Sequence, residues 1–151
     1  MKKAFITGFL ITIILSFGVL AQAENWNEDF EKASSEAKTS GKYLLLNFSG
    51  SDWCPWCMKL EREVFSHEAF KTFAKENLVY VSIDFPRKKY QSKKRKEENQ
   101  KLMEKFKVRG LPTIIILSPD GELLGTTGYR SGGAERYVDH LKETINKHKM
   151  K

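Results

Sequence analysis

The sequence predicts an α/β domain, with a central mixed sheet flanked by helices, an N-terminal helix and a basic insertion. Three observations carry this expectation. Short apolar or β-branched runs of strand length alternate with stretches whose apolar residues recur at helical spacing, which implies parallel pairing through helical crossovers. The last two strand-like runs are joined by Pro119-Asp120-Gly121, a turn sequence that implies a closing antiparallel hairpin. The chain has 151 residues, a length suited to one domain.

Trp26, Phe30, Ala33 and Ala37 recur at helical spacing and Gly41 follows as a C-cap, predicting an amphipathic helix over about 27–39. Tyr43 to Phe48 is a short apolar run, read as a buried strand. Gly50, Ser51 and Asp52 form a loop, with Asp52 read as a solvated loop residue, and a helix follows from about Cys54 to Val64. Ser66 is placed to cap a second segment carrying Phe70, Phe73 and Ala74. Leu78 to Asp84 alternates as a strand. A polar stretch runs from Pro86 to Gln100, and a helix that begins within it continues through Leu102, Met103 and Phe106. Gly110-Leu111-Pro112 breaks the pattern. Thr113 to Leu117 and Glu122 to Thr127 are the hairpin strands, and Gly132-Gly133 precedes a last helix with Tyr137, Val138, Leu141 and Ile145 on one face.

The N-terminus reads differently. Lys2 and Lys3 precede an apolar run from Ala4 to Leu20, then Ala21-Gln22-Ala23, the pattern of a signal peptide cleaved after Ala23. The run is short for a spanning helix, which needs about 20 apolar residues, and Gly8, Ser16 and Gly18 weaken it further. The expected organisation is therefore a signal peptide over 1–23 and one domain over 24–151, in the periplasm. Removing two Lys from 26 basic and 19 acidic residues lowers the net charge from +7 to 24 − 19 = +5.

Composition narrows the classes. With 40% hydrophobic and 30% charged residues, the mixed chain is not disordered throughout. Two Cys exclude a multi-bridge scaffold and a four-cysteine zinc site. His67, His140 and His148 are scattered, so no metal or other cofactor is expected.

The chemistry points to Trp53-Cys54-Pro55-Trp56-Cys57. A C-x-x-C at the start of a helix places two thiols one turn apart on one face. Unpaired N–H groups and the helix dipole favour a thiolate at Cys54, so its pKa is expected below the free value of about 8.5. Cys54 is the expected nucleophile, and Cys57, less exposed, the resolving thiol. Pro55 is tolerated because a first-turn N–H has no helical partner. Trp53 and Trp56 are read as an apolar rim for a docking polypeptide. Pro112 follows Gly110 just before a strand, a good place for a cis bond; any X-Pro taken alone favours trans, but the C-x-x-C between the first strand and a helix reverses that preference, so Pro112 is read as cis.

The strand–W-C-x-x-C–helix unit, the G-L-P-T segment at 110–113 and the P-D-G hairpin followed by a terminal helix resemble the thioredoxin superfamily over nearly all of the chain after Ala23. The resemblance implies a thioredoxin fold, a cis Pro112 beside the cysteines, and a neighbour, Leu111, whose backbone pairs with substrate. S-G-S-D-W-C-P-W-C at 49–57, V-S-I-D-F-P at 81–86, G-Y-R-S-G-G at 128–133 and the long polar insertion are similar to exported thioredoxin-like reductases within that superfamily. This implies an enzyme that reduces the disulfides of exported proteins, fed by a DsbD-like membrane thiol donor and acting as a monomer. Pro55 replaces the Met of that group. Thioredoxin carries a buried Asp where this chain has Asn47, and an amide is no carboxylate base.

Two other functions use the same residues: a periplasmic oxidant or isomerase, and a binding module with a structural disulfide. The chain lacks room for the large helical insertion of DsbA-like oxidants and has no evident dimerisation domain of the isomerase kind. The basic stretch 87–96 is read as a solvated insertion extending a helix, and no nucleic-acid partner is expected, since only Tyr90 accompanies the charges.

Overall fold

The computed structural model describes residues 27–150, so the segment read as a signal peptide and Trp26 lie outside the described residues. The elements in order are α1 (Phe30–Ser40), β1 (Tyr43–Ser49), α2 (Pro55–Leu60), α3 (Glu68–Asn77), β2 (Leu78–Asp84), α4 (Lys93–Lys105), β3 (Thr113–Leu117), β4 (Leu123–Thr127) and α5 (Gly133–Lys149). The four strands form one sheet in the order β2-β1-β3-β4. β1 pairs parallel with β2 and antiparallel with β3, and β3 pairs antiparallel with β4, so the sheet is mixed as the alternation of elements required.

β1 is central because its sequence suits no other place. Leu44, Leu45, Leu46 and Phe48 are all at most 1% exposed, which only a strand covered on both faces achieves. Side chains alternate across it. Leu45 joins Leu60, Val64, Phe65, Ile114, Tyr137 and Leu141 on the face under α2, α3 and α5. Leu44, Leu46 and Phe48 join Ala33, Ala37, Val81, Ile83 and Ile115 on the face under α1 and α4, where Phe106 meets Phe48 edge-on with ring centroids 6.3 Å apart.

Three boundaries shift from expectation. α1 starts at Phe30, not at 27, because Asp29 takes the cap by accepting from Lys32 N; Asn27 bridges to Val81 instead. The helix after the cysteines is α only to Leu60 and continues as a π turn over Glu61–Phe65. Ser66 does not cap α3. Its hydroxyl donates back to Arg62 O, and His67 is the N-cap without a side-chain bond. Gly41 does end α1, in the left-handed region at φ 70°.

Truncating the centre of the second face should be costly. Phe48→Ala is expected to lower unfolding free energy by about 3–5 kcal/mol in urea titrations, with little change in m.

Candidate functional site

The strand register brings the two predicted motifs together. Phe48, near the end of β1, pairs with Thr113 at the start of antiparallel β3. The turn after β1 that carries Cys54 and the Leu111–Pro112 bond before β3 therefore lie at one end of the sheet. That bond is cis. Leu111 is half-buried and packs with the Phe48 face.

Cys54 is the N-cap of α2. Its backbone is extended, its N donates to Gly50 O at 2.9 Å, and its carbonyl accepts from Met58 N at 3.1 Å. The Cys54 sulfur accepts from Cys57 N at 3.2 Å, so one otherwise unpaired first-turn N–H points at this atom, the geometry that favours a thiolate once the bond is reduced. Pro55 occupies the first helical position, where its missing N–H costs nothing. Cys54 and Cys57 are disulfide-bonded with Cα atoms 5.3 Å apart, the oxidised form of the pair. Both residues are buried, 4% and 5% exposed. The expected difference in exposure between them is therefore absent in the bonded pair.

The two tryptophans have different surroundings. Trp56 is 55% exposed, its ring centroid 5.2 Å from that of Tyr129, with the Lys59 ammonium about 5 Å from both rings. Trp53 instead braces the turn. Its indole N–H donates to Phe85 O at 2.7 Å and the Arg87 guanidinium stacks on its ring at 3.8 Å. Gly50 makes this possible: a Cβ there would lie 2.6 Å from the Trp53 ring.

Asp52 is half-buried and is not the idle, solvated loop residue the sequence suggests. Its carboxylate accepts the backbone N–H groups of Arg87, Lys88 and Lys89 at 2.9, 2.7 and 2.9 Å. The Arg87 N–H first, with help from the other two and the Lys89 charge, holds its pKa down at about 2. Ser51 is fixed in parallel, its N–H and hydroxyl both donating to Asp84 at 2.8 and 2.6 Å. These links carried no periodic signal. They join residues 33 or more apart in the chain and appear only once β1 and β2 are paired.

Asn47 lies on the Leu45 face of β1, toward α2. It is 7% exposed; its Nδ2 donates to the Tyr80 hydroxyl at 3.1 Å, and its Oδ1 has no hydrogen-bond partner among the described residues. Burial first, and the negative charge of Glu61 second, push the Tyr80 phenol well above its ordinary value, so it stays neutral. Asn47, Cys57, Glu61, Asp84 and Lys89 line a cleft of about 510 Å³ behind the disulfide. Among the described residues no group of three or more His, Cys, Asp or Glu is arranged to hold a metal ion, and no helix is long and apolar enough to cross a membrane.

The family model of the thioredoxin-like domain matches residues 30–144. The chain belongs to the thioredoxin-like family. Over 118 residues it is 34% identical to the disulfide bond reductase DsbH of Chlamydia pneumoniae, covering 78% of this chain and 71% of that one. It is 33% identical over 118 residues to the thioredoxin-related protein DsbJ of the same organism, covering 72% of this chain but only 34% of DsbJ. A solved structure of DsbH oxidoreductase superposes with a TM-score of 0.78 at 30% identity, covering 91% of this chain and 95% of the other. Family and bonded C-x-x-C pair together make this a thioredoxin-like thiol-disulfide oxidoreductase.

The Asp52 anchor has a pH signature. Its folded carboxyl lies below the unfolded value of about 3.9, so its stabilising contribution is complete above that pH and is lost as pH falls toward about 2. In a Trp26→Phe/Trp56→Phe background, Trp53 fluorescence should report release of the loop in that window. Adding Asp52→Asn should remove the transition.

Proposed function

We propose that the protein is an exported reductase of protein disulfides. The observation that carries this reading is a C-x-x-C pair capping a helix N-terminus, in a chain 34% identical to a protein named as a disulfide bond reductase. The Cys54 thiolate attacks one sulfur of a substrate disulfide, and the other substrate sulfur leaves as a thiolate that takes a proton from water. The Cys57 thiolate then attacks the Cys54 sulfur. This forms the Cys54–Cys57 bond and releases the second substrate sulfur, so two electrons have passed to the substrate. Trp56 and the backbone at Leu111 and Pro112 hold the substrate beside Cys54. A membrane dithiol donor returns two electrons to the pair. The basic, apolar and small-residue pattern of residues 1–23 supports export through a cleaved signal peptide.

Burial of both cysteines favours one rival, a structural disulfide in a binding module. Reactivity separates the two. Cys57→Ala should accumulate a mixed disulfide through Cys54 with disulfide-bearing proteins, visible as a mass increase reversed by dithiothreitol; no adduct with any of them would support the rival. Equilibration in thiol buffers should give a potential near thioredoxin's, about −270 mV. A value near −120 mV would instead mark an oxidant. The exported protein should begin at Glu24 by intact mass.

A further inference from the structure

The segment 86–96 carries seven basic residues, Arg87, Lys88, Lys89, Lys93, Lys94, Arg95 and Lys96, and no acidic one. Its first part is fastened to the redox turn by main-chain bonds. Asp52, two residues before Cys54, takes three of its amides, Phe85 N donates to Ser49 O at 2.9 Å, and Phe85 O takes the Trp53 indole. Arg87 also stacks on the Trp53 ring and Lys89 Nζ donates to Ser51 Oγ at 3.3 Å, yet the side chains of Arg87, Lys88 and Lys89 remain largely exposed. Among the described residues no carboxylate forms an ion pair with them.

The charges that follow gain little from the helix they open. α4 opens with Lys93-Lys94-Arg95-Lys96 and has no acidic residue in its first turn, an arrangement the helix dipole opposes. Arg95 is accounted for: its guanidinium donates to Glu28 O and pairs with the Glu28 and Glu98 carboxylates. Lys93 and Lys94 reach only Glu97 and Glu98, at 3.9 and 3.8 Å, with side chains 91% and 85% exposed, contacts that stabilise little. Cations that helix stability disfavours, held in place beside a thiol-transfer site, are explained by a ligand of opposite charge.

We propose that this basic edge docks an acidic stretch of the polypeptide whose disulfide meets Cys54. The proposal rests on the disulfide-reductase reading and adds the charge class of its partner. A polypeptide is favoured over nucleic acid because Tyr90 is the one aromatic among residues 86–96 and offers no stacking series. The edge is also tied to the turn where a polypeptide disulfide reacts.

The test uses mixed-disulfide formation by the Cys57→Ala protein, which needs no particular redox potential. Two synthetic peptides share one disulfide-bearing sequence, flanked in one by four Asp and in the other by four Ser. The acidic peptide should react about tenfold faster at low salt, and the ratio should fall toward one at about 0.5 M NaCl. Lys88→Gln/Lys93→Gln/Lys94→Gln should bring the low-salt ratio near one, and the corresponding Glu variant should invert it. Equal rates at low salt, or a preference that survives the Glu variant, would overturn the docking surface and leave the reductase reading intact. Sedimentation with phosphatidylglycerol vesicles, lost in the same variants and accompanied by no peptide preference, would assign the edge to a membrane and also overturn it. Absence of any adduct would overturn both readings.

Discussion

Burial of β1 on both faces is the constraint on which the remainder depends. A strand with Leu44, Leu45, Leu46 and Phe48 all buried has no solvent face, so it must be paired on both edges and covered above and below. Pairing β1 with β2 on one edge and β3 on the other fixes where the chain leaves the sheet. It exits at Ser49, beside the start of β3, and that exit is the redox turn. A one-residue slip in the register would turn Asn47 to the Phe48 face and put Phe48 among the helices that carry Cys57. The chemistry is thus placed by packing of residues that take no part in it.

The site itself is a helix N-terminus made rigid from outside. α2 has only six residues before the π turn, too few to be stable by itself. What holds its start is the bracing of the preceding turn: Gly50 O accepts the amides of Trp53 and Cys54, Asp84 takes Ser51, and Phe85 O takes the Trp53 indole. The far end is held by Leu60, Val64 and Phe65 in the core. Between these anchors, the one first-turn N–H aimed at the Cys54 sulfur is presented in a nearly dry setting, where it acts with little competition from water.

Much of this was legible in the sequence. The strand-length runs identified all four strands and the W-C-x-x-C segment marked the cysteine turn, because each depends on local spacing or on a single residue type; the cis bond at Pro112 was legible only when the G-L-P-T segment was read together with the C-x-x-C. What could not be read were interactions whose partners are far apart. Asp52 looks like any loop carboxylate until β1 and β2 align and bring residues 87–89 to it. The inward turn of Trp53 follows from Gly50 and Phe85 together, neither of which signals it alone. The displaced cap of α3 and the π turn arise because the chain after Leu60 must keep Val64 and Phe65 in the core, and tertiary packing there outweighs the preference of Ser66 for a cap.

The Asp52 arrangement also explains how a basic loop can sit against a redox turn at all. Had the loop been held through its side chains, each Lys or Arg would need a carboxylate, and the turn would gain negative charge beside a sulfur that must become a thiolate. Like charges so placed disfavour ionisation. One carboxylate accepting three amides limits this to a single negative charge, compensated by the main-chain dipoles aimed at it. The three amide bonds to Asp52 do not depend on which side chains the loop carries, and the Arg87 stack on Trp53 and the Lys89 bond to Ser51 add to them without a second carboxylate. Positions 87–89 and the opening of α4 are free to hold cations that helix preference alone would reject. Local rules are broken where a fold is adapted to something outside itself, and here the break falls at the margin of the disulfide, where a partner must arrive.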